Sequence, residues 1–385
     1  MRIAYVSDFG DHGTFLNTFG TSVALLLASI ESVDQVDVYC PVNRFNVTSE
    51  SYSPKIKINE FYSYDQPLSI LRLLSIKKGA YDKIIFNTLS TGFGTSGLAN
   101  SLGLIIPIIL SFLSKETKVE VIYHNSAFTN DAALLGYNSK IDKVKINILK
   151  FLEATLFRFV STHILVQIYK RKIDMVVRPN RVSFMNPRFF DAIATTLITD
   201  YGRKTAINQT NGRLRSILMH GAWGPQKNLE YALNVLKTIK RDGFKFSLTI
   251  SGKVNEHFHA YKSVFDSLLK QYAEVITEYR GYIPEDKIFD LFQKTDILVL
   301  PYSASGGYSG VLEQGIFFET YTIAIAFPEY KEQAEGINSV RLCKLTSLDE
   351  ELRNALSIPA MVKNPNFFDK ISEAKQNLMN DLGIK

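Results

Sequence analysis

Short apolar runs alternate along this chain with longer segments whose apolar residues recur every three or four positions. The runs 2–7 (RIAYVS), 36–40 (VDVYC), 83–87 (KIIFN), 118–123 (KVEVIY) and 163–167 (HILVQ) read as strands. Helical periodicity falls between them, at 20–31, 67–77, 98–114 and 141–160. Nearly continuous apolar strands separated by helices imply parallel sheets with helices on both faces. A polar, Thr/Asn-rich stretch at about 188–212 interrupts the rhythm and reads as an interdomain linker. The alternation then resumes. Strand 214–219 (LRSILM) leads into the loop HGAWGPQK, and helix 228–241 follows, with Leu229, Leu233, Leu236 and Ile239 on one face. Strands at 244–250, 275–279, 296–300 and 321–327 and helices at 285–294 and 310–318 complete a second unit. The expected organisation is an N-terminal Rossmann-like domain (1–187), a linker (188–212) and a C-terminal Rossmann-like domain (213–360). A final amphipathic helix (361–385) is expected to pack back towards the first domain.

Composition narrows the class. The 385 residues are 46% hydrophobic and 21% charged, as suits a globular protein with sizeable cores. A formal net charge of +6 favours anionic partners. The basic residues are scattered and form no nucleic-acid recognition module. Two cysteines, Cys40 and Cys343, stand far apart and match no metal-ligand or disulfide pattern. The opening MRIAYVSDFG reads as a first strand, which points to a cytoplasmic protein. Segment 102–113 (LGLIIPIILSFL) is nearly all apolar but too short to span a bilayer. It reads as a buried helix, the alternative being a helix on a membrane surface. Helix 141–160 carries Lys143, Lys145, Lys150 and Arg158 beside Ile146, Leu149, Leu152, Leu156 and Phe157, a pattern compatible with an anionic membrane face.

The chemistry concentrates in GYSGVLEQG (307–315), directly after the strand-like DILVLPY. Glycines there allow close backbone approach, and the helix beginning near Gly310 offers free N–H groups to an anion. Glu313 in its first turn is placed to accept two ribose hydroxyls. Ligands in open α/β sheets bind beyond the carboxyl ends of the strands, so the loops at 8–20, 88–97, 124–130, 220–227, 251–256, 280–284 and 302–312 are the candidate walls.

HGAWGPQKNLEYAL (220–233), LTISGKVN (248–255), YRGYIPEDKIFDLFQKTDILVLPY (279–302) and GYSGVLEQGIFFETYTIAIAFPE (307–329) resemble, in order and spacing, the C-terminal half of retaining GT-B glycosyltransferases of the group 1 family. The N-terminal half resembles that family in layout alone. The resemblance implies an α/β protein of GT-B architecture, two Rossmann-like domains facing across a cleft, that moves a hexose from a nucleotide-diphosphate sugar to a glycan or lipid-linked acceptor. It implies retention of configuration and no metal or cofactor, the nucleotide sugar being a co-substrate. Lys227 then neutralises the donor pyrophosphate, Glu313 holds the ribose, and His124 lies beside the reacting sugar. Gly13, Gly20, Arg280, Gly281, Tyr282, Ser305, Ser309, Gly310 and Val311 form the donor-binding set, and His12 and Asn125 face the acceptor.

The chain departs from the family at two places. Ala222 stands where an arginine is usual, five residues before Lys227. Ser305 stands where the first of two glutamates is usual, eight residues before Glu313. These departures motivate an alternative, a catalytically degenerate GT-B protein that binds nucleotide or glycan as a partner subunit. A GT-B epimerase finds support in His124 alone.

Overall fold

The computed structural model describes residues 1–7, 15–42, 53–64, 66–76, 80–88, 97–113, 116–124, 140–165, 181–185, 188–190, 192–193, 214–255, 258–305, 307–359, 363 and 366–385. The chain forms two compact units. Unit 1 is Met1–Ile198 with Gly306–Tyr308 and Asp369–Lys385; unit 2 is Thr199–Ser305 with Ser309–Phe368. Most of the linker expected at 188–212 lies outside the described residues.

Unit 1 is built on a seven-stranded sheet. Its strands are β1 (Arg2–Val6), β2 (Gln35–Pro41), β3 (Ile56–Tyr62), β4 (Lys83–Thr88), β5 (Lys118–Tyr123), β6 (Ser161–Ile164) and β7 (Val182–Phe184), in the order β3-β2-β1-β4-β5-β6-β7. Every pairing is parallel. Helices α1 (Phe15–Ser29), α2 (Gly97–Leu113) and α3 (Lys140–Phe159) accompany it. Helix α2 packs between α3 and a 3-10 segment, Pro67–Ser75. That segment was expected as an ordinary helix; Pro67 opens it, and it keeps the tighter winding throughout. Strands β3 and β7 were not anticipated. The first mixes polar and apolar residues at the sheet edge, and the second is three residues long.

Unit 2 repeats the plan with β8 (Arg215–His220), β9 (Phe246–Ser251), β10 (Glu278–Arg280), β11 (Ile297–Leu300), β12 (Tyr321–Ile325) and β13 (Val340–Cys343), ordered β10-β9-β8-β11-β12-β13 and parallel throughout. Its helices are α4 (Leu229–Arg241), α5 (Tyr261–Gln271), α6 (Glu285–Gln293), α7 (Gly310–Phe317), α8 (Pro328–Gln333) and α9 (Leu348–Ser357). The apolar stripe of α4, Leu229, Leu233, Leu236 and Ile239, is wholly buried against Ile217, Met219 and Leu248 of the sheet. A last helix, α10 (Phe367–Leu382), closes the chain. Both sheets reverse strand order between their first and fourth strands, which opens a crevice at the carboxyl ends of β1/β4 in unit 1 and of β8/β11 in unit 2.

Away from these crevices, unit 1 buries a carboxylate. Glu120 on β5 is fully buried and lies 3.1 Å from Lys83 Nζ on β4. Lys118 also bonds it, and His163 Nε2 on β6 stands 3.8 Å away. Lys83 donates onward to the carbonyl of Leu382 in α10, so the charge network ties sheet and C-terminal helix together. Burial by itself would raise the Glu120 pKa. The closely placed His163, Lys118 and Lys83 outweigh it and draw the value down to about 2. A folded-state pKa below the unfolded one makes this stabilisation complete above about pH 4.3 and lost as pH falls towards 2. Glu120→Gln is expected to lower stability by about 3 kcal/mol at pH 7, because Lys83 is left buried without its counter-charge. Urea denaturation at pH 7 and pH 3 checks this: the gap between variant and wild type should narrow in acid.

Candidate functional site

The loops after β8, β9 and β10 are locked together by backbone contact. Gly252 follows β9 at φ +103°, and a Cβ there would stand 1.9 Å from the carbonyl oxygen of Gly221. Only glycine permits that approach. The Gly252 amide donates to the carbonyls of Arg280 and Gly281 at 3.1 and 2.8 Å. Trp223, almost fully buried, donates from Nε1 to the Ser251 carbonyl at 2.9 Å, and its backbone exchanges hydrogen bonds with Lys253 and Asn255. Gly224 is hemmed in by Phe258, 2.6 Å from where its Cβ would lie. The chain next makes one 3-10 turn, Pro225–Lys227, before α4 starts at the left-handed Asn228. The carbonyl of Gln226 accepts the Ser303 amide at 2.9 Å, which joins this turn to the loop after β11.

These restraints put Lys227 over the crevice between β8 and β11. Its Nζ lies 3.5 Å from the centre of the Tyr302 ring, at the end of β11. The side chain is half-buried with its Nζ resting on the ring, and crowding by protein atoms lowers its pKa to about 7 through desolvation. His220, the last residue of β8, shares a 2.8 Å hydrogen bond with Ser251 Oγ. Burial and then the Lys227 charge lower its pKa to about 4, so it is neutral at pH 7. The Tyr302 ring is buried, and its hydroxyl has no hydrogen-bond partner among the described residues. A Cβ on Gly221 would meet both that hydroxyl, at 3.8 Å, and Val311 Cγ2, at 3.4 Å. The loop after β8, the end of β11 and the first turn of α7 therefore converge.

Helix α7 begins at a formed cap. Ser309 Oγ accepts the Leu312 amide at 3.3 Å, while Gln333 of α8 bonds both the amide and the carbonyl of Ser309. Gly310 and Val311 open the first turn, and their own two amides have no acceptor within the helix. Glu313 is 1% exposed in that turn. Gly315 lets the helix lie on the sheet, since a Cβ would collide with Thr322 and Leu298. Ser305 interacts with the Tyr330 hydroxyl. Arg280 is exposed and paired with Glu278 at 2.7 Å, and Lys253 stands 5.4 Å over the Tyr282 ring.

In unit 1, His124 follows β5 and is fully buried. Its Nε2 donates to Asn87 Oδ1 at 2.6 Å, and Asn87 Nδ2 donates to Ser7 Oγ at 2.9 Å, a chain across the carboxyl ends of β5, β4 and β1. Phe19 meets the imidazole edge-on at 4.3 Å. Burial lowers the His124 pKa to about 3, which keeps the ring neutral. Gly20 is buried in α1. His12, Gly13 and Asn125 lie outside the described residues. Sequence reasoning passed over His220, Ser251, Tyr302 and Gln333. The available signal was position: His220 and Tyr302 directly follow the apolar runs of the two strands that flank the crevice.

No protein-family model matches the chain, and comparison with curated proteins finds no match. Solved structures do match along its whole length. The sucrose-phosphate synthase of Thermosynechococcus elongatus aligns with a TM-score of 0.65 at 12% identity, over 99% of this chain and 94% of that one. Anabaena Alr3699/HepE, solved with UDP and glucose, aligns with a TM-score of 0.65 at 12% identity over 100% of both chains. WaaG, a glycosyltransferase involved in lipopolysaccharide biosynthesis, aligns with a TM-score of 0.58 at 11% identity, over 100% of this chain and 95% of that one. The two parallel-sheet α/β domains of this chain thus have the GT-B fold.

The depressed pKa of Lys227 carries a stability signature. The unfolded chain binds this proton up to about pH 10.4, the folded chain up to about 7, so stability rises with pH between those values. Lys227→Met keeps the stem and removes the charge. It is expected to melt above wild type at pH 6, with the difference shrinking towards pH 10. Melting temperatures of both proteins across this range test the assignment.

Proposed function

We propose that the protein is a nucleotide-sugar-dependent glycosyltransferase whose donor site lies at the β8/β11 crevice of unit 2. The observation that carries this reading is the desolvated Lys227 ammonium, held on the Tyr302 ring beside the open first turn of α7. A protein seldom withdraws a lysine from water without a use for the charge. Breaking the sugar–phosphate bond builds negative charge on the leaving diphosphate. Lys227 and the amides of Gly310 and Val311 would stabilise it without a metal ion. A diphosphate at Nζ would also return the lysine to its charged form. Glu313 would accept the ribose hydroxyls, and the loop Arg280–Gly281–Tyr282 would border the base. The solved complexes of the Anabaena protein with UDP and UDP-glucose support a hexose carried on such a nucleotide.

Retention of configuration fits a front-face mechanism, in which the departing phosphate takes the acceptor's proton. In that scheme neutral His124 hydrogen-bonds a sugar hydroxyl and does not act as a base, with His12 and Asn125 on the acceptor side. The acceptor is read as a glycan or lipid-linked glycan, at the cytoplasmic face. A second reading, a nucleotide-binding subunit without transfer activity, draws on Ala222 and Ser305 at the positions of the usual Arg and Glu.

A panel of UDP, GDP, ADP and dTDP sugars, with and without EDTA, tests the proposal by thermal shift and donor hydrolysis. One nucleotide should raise the melting temperature in EDTA. Lys227→Ala and Glu313→Gln should each cut kcat/KM by about 100-fold. Wild-type rates in both variants would sink the site assignment. A selective shift without hydrolysis or transfer would favour the binding subunit.

A further inference from the structure

In the sequence, α3 carries Ile146, Leu149, Leu152, Leu156 and Phe157 beside basic residues, a pattern compatible with an anionic membrane face. The structure adds a second apolar stripe on its outer side. Leu156 and Phe157 are buried, and Glu153 points inward to the Tyr123 hydroxyl at 2.7 Å. Val144, Ile148, Phe151 and Phe159 are exposed, Phe151 by 71%. Their spacing of four, three and eight residues keeps them on one side of the helix. Neighbouring α2 contains no charged residue, and its Leu98, Phe112 and Leu113 are exposed as well. Phe112 and Phe159 join the two helices, with ring centres 5.2 Å apart. All the exposed large apolar side chains of unit 1, among the described residues, lie on α2, α3 and the adjoining 3-10 segment. Scattered singly they would need no explanation; gathered on adjoining elements they make a patch.

The rim of this patch is basic. Lys145 and Arg158 on α3 and Arg72 on the 3-10 segment are exposed, and no described side chain on the outer side of α2 or α3 is a carboxylate. No helix among the described residues is long and apolar enough to cross a membrane. The stripe from Val144 to Phe159 runs about 22 Å along its helix, a length suited to lying in a bilayer interface. We propose that α2 and α3 form a docking surface for an anionic lipid bilayer, the aromatic and aliphatic stripe entering the headgroup layer and Lys145, Arg158 and Arg72 meeting lipid phosphates. The basic rim argues against a second copy of this chain, since a symmetric pair would oppose like charges. The inference stands apart from the nucleotide site.

Flotation of the full chain with vesicles tests it, using phosphatidylcholine with 30% phosphatidylglycerol beside pure phosphatidylcholine at 0.1 M NaCl. Wild type should float with the anionic vesicles and remain below with the neutral ones. Ile148→Glu/Phe151→Glu and Lys145→Glu/Arg158→Glu should each reduce the floated fraction at least tenfold. All four side chains are outward, so circular dichroism and any nucleotide-induced thermal shift should be unchanged. Wild type that stays below with anionic vesicles, or variants that float like wild type, would overturn the proposal. So would a wild-type dimer in sedimentation that Ile148→Glu/Phe151→Glu returns to monomer, because a second copy would then cover the patch.

Discussion

Unit 2 depends on a contact with no room for a side chain, the approach of Gly252 to the carbonyl of Gly221. It brings the turns after β8 and β9 into backbone contact, and Trp223 then seals them by reaching the Ser251 carbonyl. With those turns fixed, the short 3-10 turn has one course to α4, and Lys227 is its last residue. The position of the cation therefore follows from main-chain packing more than from any partner of its own. A larger residue at Gly252 would part the turns and move the charge away from Tyr302.

The electrostatic character of that crevice is unusual for a solvated surface. One cation is held on an aromatic face, the nearby imidazole is neutral, and a helix start with free amides faces the same space. The lysine and the helix start favour an anion, and the uncharged imidazole does not compete with them. The cost falls on stability, since a desolvated ammonium is tolerated and not rewarded until a counter-charge arrives. In unit 1 the opposite solution appears. Glu120 is fully buried but surrounded by Lys83, Lys118 and His163, so its charge is satisfied within the fold.

Unit 1 also distributes its apolar surface unevenly. Its strands bury Ile84, Ile85, Val121 and Ile122, while α2 and α3 keep further apolar side chains outward. Such a surface is poorly solvated, and its basic border sets the sign of what could cover it.

Much of this was legible in the sequence because both signals are local. Alternating strand and helix periods specify two parallel α/β units, and β4, β5, β8, β9 and β11 lie where apolar runs place them. GYSGVLEQG announces a helix start with a carboxylate, and α7 begins at Gly310 with Glu313 in its first turn. Edge strand β3 escaped because its residues are mixed, and edge strand β13 because it is only four residues long. What the tertiary structure alone decided was juxtaposition. Lys227 and Tyr302 are 75 positions apart and meet because β8 pairs with β11, a neighbour relation no local pattern encodes. Likewise, α3 has apolar residues all around, and only packing against α2 and the sheet determines which of them remain in water.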